Sequence, residues 1–306
     1  MPDAPQDPRM FWYASFSGLW IYFEVDAGLL QNYFNESILG DYMQPALFDG
    51  KAAVNLCFMS YASHSGMNDA AAYTDMQQPL PDPVPAGWLP PGFGVEPTNE
   101  CEFNAVCYPK TFSDNVSEEG ITTLRQFVLG ADVAKVIGHY RLRVPCDDRI
   151  AVFYGKNFIG ENKVLTHPFR YNVPAINNPG RDQWNVVVPG PLTGPASSEM
   201  FTLNVDVSSL PSIAANTSEV VNYSDAMSYP GVLQQRRNLF GVFDTYFLDD
   251  ASSRGLVNLC YGNDSDQMVV TMKALLGENP VPLIVQTFTS VPAASETPTI
   301  LVAGGP

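Results

Sequence analysis

Residues 138–168, GHYRLRVPCDDRIAVFYGKNFIGENKVLTHP, set the expectation for the fold. The run YRLRV (140–144) alternates, IAVFYG (150–155) is apolar, and the CDD turn between them predicts an antiparallel strand pair. A glycine-containing turn then delivers Lys163, one of six lysines in the chain. A lysine amine that loses its proton condenses with carbonyl carbons. Its placement just after a strand pair makes Lys163 the first candidate for chemistry. Glu161 lies two residues earlier, and in extended backbone both side chains point to the same side.

Strand-like runs surround this stretch. GLWIYFEVD (18–26), AAVNLCFMSY (52–61), CEFNAVCYP (101–109), WNVVVPG (184–190), MFTLNVDV (200–207), LFGVFDTYFL (239–248), LVNLCYG (256–262), MVVTMKALL (268–276) and PLIVQTF (282–288) read as strands bounded by Gly, Asn, Asp and Pro. Two helices are expected, one over 26–34 behind an Asp26 cap and one over 117–129, capped by Ser117 and closed by Gly130. Residues 67–97 hold prolines at 79, 81, 83, 85, 90, 91 and 97, so backbone donors are missing and a long surface loop is expected. The functional alternative is a lid carrying Trp88 and Phe93. The segment 208–235, rich in Ser, Asn and Pro, reads as a second loop insertion. With no clean linker and no internal repeat, the expectation is one β-rich domain over 1–306.

Composition excludes several functions. Sixteen Lys+Arg stand against 32 Asp+Glu, a formal charge of −16. Such a surface repels phosphate backbones and anionic headgroups, so neither nucleic acid nor membrane is an expected partner. Its ordinary role is solubility. Five cysteines without CxxC pairing indicate reduced, mostly buried thiols. The N-terminal MPDAPQDPRMFWYASF lacks a basic segment followed by an apolar one, and no apolar run is long enough to span a bilayer, which predicts a cytoplasmic protein.

No GxxxxGK[ST], strand-linked GxGxxG or HExxH is present, and His64, His139 and His167 show no ligand spacing. What remains is the lysine segment, which resembles the acetoacetate decarboxylase family. There a strand pair leads into Gly-Arg-Glu and then aromatic-Pro-Lys-Lys, whose first lysine forms a Schiff base. Here Gly155-Lys156-Asn157 and Glu161-Asn162-Lys163-Val164 stand at those positions, and Gly138, Asp147, Ala151, Leu165 and Pro168 keep the register. Weaker similarity touches 20–34, 52–66, the CEFNAV strand and the LGENPVPLIVQ segment. The resemblance implies a mainly β, α+β fold: a single-domain antiparallel β barrel-like structure enclosing an apolar cavity, with a few peripheral helices.

It also implies roles. Lys163 is the counterpart of the Schiff-base lysine, and Glu102 matches a pocket carboxylate. Asn157 and Arg170 are candidate substrate-binding side chains. The family's second lysine is Val164 here, and its carboxylate-binding arginine near the first strand falls on Phe16. An amine with a pKa of ~10.4 is neutral in about one molecule in 2,500 at pH 7, so activation needs desolvation or a cation such as Lys156, Arg141, Arg143 or Arg170. Glu161 is new relative to the motif. Either it pairs with Lys163 and silences the amine, or it shuttles protons beside it.

The resulting expectation is a metal-independent lyase, without organic cofactor, acting on a β-keto acid or related oxo compound. Decarboxylation, aldol or retro-aldol cleavage and dehydration are all compatible with Lys163, Glu102 and Glu161 as catalytic groups. The alternatives are a noncovalent cyclase or isomerase of secondary metabolism with the same fold, or a non-catalytic small-ligand binding protein. The expected partner is a small oxo acid, with a homo-oligomer left open.

Overall fold

Strand alternation in this chain feeds two hydrophobic clusters on opposite faces of one sheet. In β1 (Phe11–Val25), Leu19, Ile21 and Phe23 enter one cluster while Phe16, Trp20 and Tyr22 enter the other. After β2 (Met43–Pro45), β3 (Ala52–Ser65) does the same, sending Val54, Leu56 and Phe58 one way and Ala53, Cys57, Met59 and Tyr61 the other. A sheet buried on both faces needs apolar residues at successive positions, which is why these runs show little polar alternation.

The computed structural model describes residues 11–36, 39–65, 94–174, 182–215, 219–225, 233–263, 265–295 and 299–301. Of the loop expected over 67–97, residues 67–93, with Trp88 and Phe93, lie outside them, while residues 94–97 begin the strand Gly94–Pro109 despite Pro97. The remaining strands are β4 (Gly94–Pro109), β5 (Gly138–Cys146), β6 (Lys163–Leu165), β7 (Arg170–Asn172), β8 (Gln183–Pro189), β9 (Glu199–Asp206), β10 (Ile213–Ala215), β11 (Glu219–Asp225), β12 (Leu233–Leu239), β13 (Phe243–Phe247), β14 (Val257–Tyr261), β15 (Pro282–Ser295) and β16 (Thr299–Leu301). Twelve form a mixed sheet ordered β10-β13-β15-β1-β3-β4-β5-β11-β12-β16, with β2 on β4 and β6 on β5. A second sheet, β14-β9-β8-β7, shares the outer cluster with the first through Trp184, Phe201 and Leu203.

The fold is therefore mainly β with a few helices, as expected, but the barrel-like antiparallel sheet of the expectation is instead a mixed sheet that does not close into a barrel. The large sheet curls, and β12 meets β15 again only at Asn238↔Ser295 and Leu239↔Ala294, too short a seam for a continuous wall. Nor is the sheet purely antiparallel: β5 runs parallel to β11 at its start and to β6 at its end.

Helix prediction succeeded at 26–34, where Ala27–Asn35 is helical and the Asp26 carboxylate accepts from Leu29 N at 2.9 Å. The expected helix over 117–129 is instead two, Ser113–Glu119 and Leu124–Val128. Gly120 breaks the first at φ +63, and Thr123 and Gln126 form a capping box for the second. Two apolar runs read as strands are helices, Arg149–Tyr154 and Gln267–Leu276. Runs this short and this apolar have no decisive period. The deciding signal is the preceding aspartate, because Asp148 accepts from Ala151 N at 2.6 Å and Asp266 from Met268 N at 2.8 Å.

The segment 208–235, read as a loop insertion, holds β10, β11 and the start of β12 among the described residues. Their polar sequences, EVVNYSD and LQQRRNL, concealed them. β11 pairs β5 at Asn222↔His139 and β12 antiparallel, so this segment walls the region that receives Lys163. Among the described residues no helix is long and apolar enough to cross a membrane. All five cysteines are unpaired, four of them buried.

The Arg149–Tyr154 helix connects β5 to the turn before Lys163, so its cap is testable. Asp148→Ala is expected to lower stability by about 0.5–2 kcal/mol in urea denaturation; an unchanged midpoint would show that the cap does not hold this helix.

Candidate functional site

Six buried charged side chains meet on the inner face of the curled sheet. β4 alternates inward with Glu100, Glu102 and Asn104, while Cys101 and Phe103 join the outer core. Asp147 fixes the start of this arrangement. Its carboxylate accepts from Asn99 N at 2.8 Å, from Asn99 Nδ2 at 2.9 Å and from Phe169 N at 3.2 Å, tying β4 to the ends of β5 and β7 beside Glu100. Arg141 comes from β5, Lys163 from the first residue of β6, and Arg236 from β12.

A π-helical turn, Gly155–Ile159, delivers Glu161 and Lys163. Gly160 ends it at φ +74, packed so tightly on the Asp225 carbonyl that any side chain would collide. Ser224 Oγ donates to Ile159 O at 2.5 Å and Gln234 Nε2 donates to the same oxygen, so β11 and β12 hold the turn. At Gly155 a Cβ would lie 2.6 Å from Lys163 Cδ and 2.7 Å from Glu161 Oε2. The glycine leaves the space those two side chains fill.

Lys163 Nζ donates to Glu100 Oε2 at 2.6 Å and lies 3.2 Å from Glu161 Oε2. Glu161 Oε1 also pairs with Arg141 Nη1 and, at 3.2 Å, with Arg236 Nη2. Arg141 Nη2 reaches Glu102 Oε1 at 2.6 Å. Tyr61 OH donates to Glu100 Oε2 at 3.0 Å, and Asn104 Nδ2 donates to Glu102 Oε2 at 3.0 Å. All six ionic side chains are at most 6% exposed, three cations against three carboxylates.

Burial pushes the Lys163 pKa down, but the Glu100 carboxylate, through its charge and its hydrogen bond, leads the opposing effects, and the amine is held above its ordinary value. Burial pushes Glu100 up, while Lys163 and then Arg141 pull it below the usual carboxylate value. For Glu102 burial wins over Arg141, and its pKa is raised. That direction fits the geometry despite the 2.6 Å contact, because Arg141 divides its charge between Glu102 and Glu161. Burial also raises Tyr61 well above its normal range, keeping the phenol a donor. At rest Lys163 is an ammonium ion.

Glu100, Glu161, Arg141, Arg236 and Lys163, with Tyr13, Tyr61 and Tyr154, line a small pocket open to solvent, while Glu102 stands behind it. The lining is charged, unlike the expected apolar enclosure. Of the residues singled out from sequence, Lys163, Glu161 and Glu102 share one network. Asn157 falls in the Gly155–Ile159 turn, and its side chain is outside the described part. Arg170 is exposed on β7, pairs with Glu199 and does not line the pocket. Glu100 and Arg236 were missed. Glu100 was within reach, since it sits one strand period before Glu102.

No protein-family model matches the chain, and no curated protein matches it. Solved structures do. An acetoacetate decarboxylase-like enzyme from Sphingomonas wittichii RW1 matches with TM-score 0.56 at 13% identity, over 96% of this chain and 93% of that one. The enduracididine biosynthesis enzyme MppR with HEPES bound matches with TM-score 0.58 at 12% identity, over 98% and 90%. Acetoacetate decarboxylase from Legionella pneumophila matches with TM-score 0.53 at 9% identity, over 99% and 90%. The chain has the acetoacetate decarboxylase-like fold.

Within this acetoacetate decarboxylase-like fold, β1 gives the pocket no cation. Phe16 instead stacks on Tyr61 at 5.5 Å and on Phe288 at 5.2 Å between ring centroids. Among the described residues no group of His, Cys, Asp and Glu is arranged to hold a metal ion.

Removing one member of the network leaves buried charge uncompensated. Arg141→Met is expected to destabilise by about 3–5 kcal/mol in urea denaturation, against near neutrality if the network is dispensable. Because the Lys163 pKa is raised on folding, its contribution is present below the ordinary value of 10.5 and lost as pH rises through the folded value. Lys163→Met is therefore expected to flatten the loss of stability above pH 10.5; an alkaline limb identical to that of the parent would refute the pairing.

Proposed function

We propose that this protein is a Schiff-base-forming lyase acting on a small oxo acid through Lys163. The observation that carries the reading is the placement of Lys163 Nζ 2.6 Å from Glu100 and 3.2 Å from Glu161, in a pocket with tyrosine donors. A nucleophile within hydrogen-bond reach of its base is the minimal unit for covalent carbonyl chemistry.

The ammonium first passes a proton to Glu100. The free amine then attacks the ketone carbon, and the carbonyl electron pair moves to oxygen, which takes up a proton. Loss of water from the carbinolamine leaves the iminium. Two ammonium protons and the carbonyl oxygen depart as one water, and the positive charge stays at nitrogen. Glu161 or Glu100 can then remove the proton beside the iminium to give an enamine, which attacks an aldehyde carbon; loss of a second water dehydrates the adduct, and hydrolysis restores Lys163. The iminium is the electron sink, so these steps call on no metal or organic cofactor.

The charged lining favours this aldol and dehydration course over decarboxylation. A carboxylate leaving as CO₂ loses its charge, so the Arg141 and Arg236 guanidinium groups would stabilise it most before it reacts. The MppR structures add support by analogy, since that enzyme is seen complexed with pyruvate and with the condensation product of pyruvate and imidazole 4-carboxaldehyde. The second reading, a noncovalent enzyme or binding protein, draws on the raised Lys163 pKa, because an amine locked as ammonium is only a charge partner.

Borohydride reduction separates the two. With pyruvate or acetoacetate present, reduction is expected to fix a covalent adduct on Lys163, located by peptide mass mapping and missing in Lys163→Met. An unmodified Lys163 in the presence of any oxo acid shown to bind would sink the covalent reading.

A further inference from the structure

We propose that Arg236 on β12 is the anchor for the ligand's carboxylate group, so that the pocket selects monoanionic oxo acids over neutral carbonyl compounds. This deepens the lyase reading and rests on it for the oxo group, but the carboxylate anchor stands on its own geometry.

Arg236 is 4% exposed and lines the Lys163 pocket. Of the two arginines there, Arg141 is engaged on both terminal nitrogens, by Glu102 through Nη2 and by Glu161 through Nη1. Among the described residues Arg236 has a single carboxylate contact, Nη2 to Glu161 Oε1 at 3.2 Å, on an oxygen it shares with Arg141. Its Nε, like that of Arg141, is buried and has no hydrogen-bond partner among them, so the difference between the two arginines lies at their terminal nitrogens. A buried N–H left without a partner is costly, and a guanidinium presents its donors as a fork that fits a carboxylate. An incoming carboxylate would satisfy that fork.

The charge balance supports the same assignment. Three cations already face three carboxylates, so a ligand carboxylate has to take over a cation that one of them now holds. Arg236 is the cation at which exchange is easiest, because Glu161 keeps Arg141 and Lys163 as partners after releasing it. Elsewhere the polar groups of the pocket wall are the neutral hydroxyls of Tyr13, Tyr61, Ser63 and Tyr154, so, Lys163 apart, the arginines are the groups that can meet a carboxylate with opposite charge. A carboxylate held by Arg236 lies near Glu161, which is 3.2 Å from Lys163 Nζ, so anchor and amine flank one small molecule.

The test compares pyruvate with its neutral ester, methyl pyruvate, by titration calorimetry on the intact protein and on Arg236→Gln and Arg236→Lys. Arg236→Gln is expected to weaken pyruvate binding by about 30-fold or more, with Arg236→Lys intermediate, while methyl pyruvate binding changes by less than about threefold and certifies that the variants are folded. Pyruvate binding to Arg236→Gln within about threefold of the parent would overturn the proposal. So would equal losses for the ester, or no pyruvate binding by the parent. Borohydride trapping in the same samples keeps the two readings apart. Arg236-dependent binding without a Lys163 adduct supports the anchor and refutes the Schiff base; an adduct formed equally in Arg236→Gln does the reverse.

Discussion

The Glu161 carboxylate, contacted by Arg141, Lys163 and Arg236, joins the paired strands β5 and β6 to β12, about seventy residues further along the chain. It is 1% exposed and enters from the turn between the Arg149–Tyr154 helix and β6. Because an isolated carboxylate there would carry a desolvation cost of several kcal/mol, the chain must bring compensating cations to it or give up the charge. That requirement sets the position of β12 against β5 and β6. It also explains the glycine at position 155, which leaves room for the Lys163 and Glu161 side chains together.

Buried ion networks seldom add stability over apolar packing of the same volume. The curled sheet also has an extensive apolar inner cluster around Phe16, Trp20, Phe243 and Phe288 beside these charges. Their retention in one pocket is better explained by what they do to Lys163. They hold it as an ammonium beside two carboxylates, in a state where a ligand that competes for the cations also changes the field on the amine. The same network therefore explains why the amine is quiet at rest.

Much of this was legible in the sequence. Lys163 and Glu161 were two residues apart, a spacing that suggested a shared side, and Arg141 was among the cations able to reach them. Glu102 lay at an inward position of β4, and the two-residue strand period extended from it to Glu100. Arg236 was hidden because it lies just beyond a polar segment read as a loop, and strands such as LQQRRNL carry no apolar alternation when their inward positions are filled by Gln, Arg and Asn. The barrel expectation failed for a related reason: closure depends on how far β12 pairs with β15, a long-range register that no local pattern encodes. The helices at Arg149–Tyr154 and Gln267–Leu276 were recoverable from Asp148 and Asp266, whose capping role outweighs the ambiguous apolar runs behind them.

The central claim is that Lys163 rests as an ammonium ion held by Glu100 and Glu161. The direct measurement is an NMR pH titration of the ligand-free protein with isotope-labelled lysine, following the Lys163 side-chain carbon next to Nζ and assigning it by its loss in Lys163→Met. The account requires that signal to remain in its protonated position from neutral pH to beyond 10.5, the ordinary lysine value. A titration centred near neutral pH would contradict it, and would mean that desolvation rather than ion pairing governs the amine.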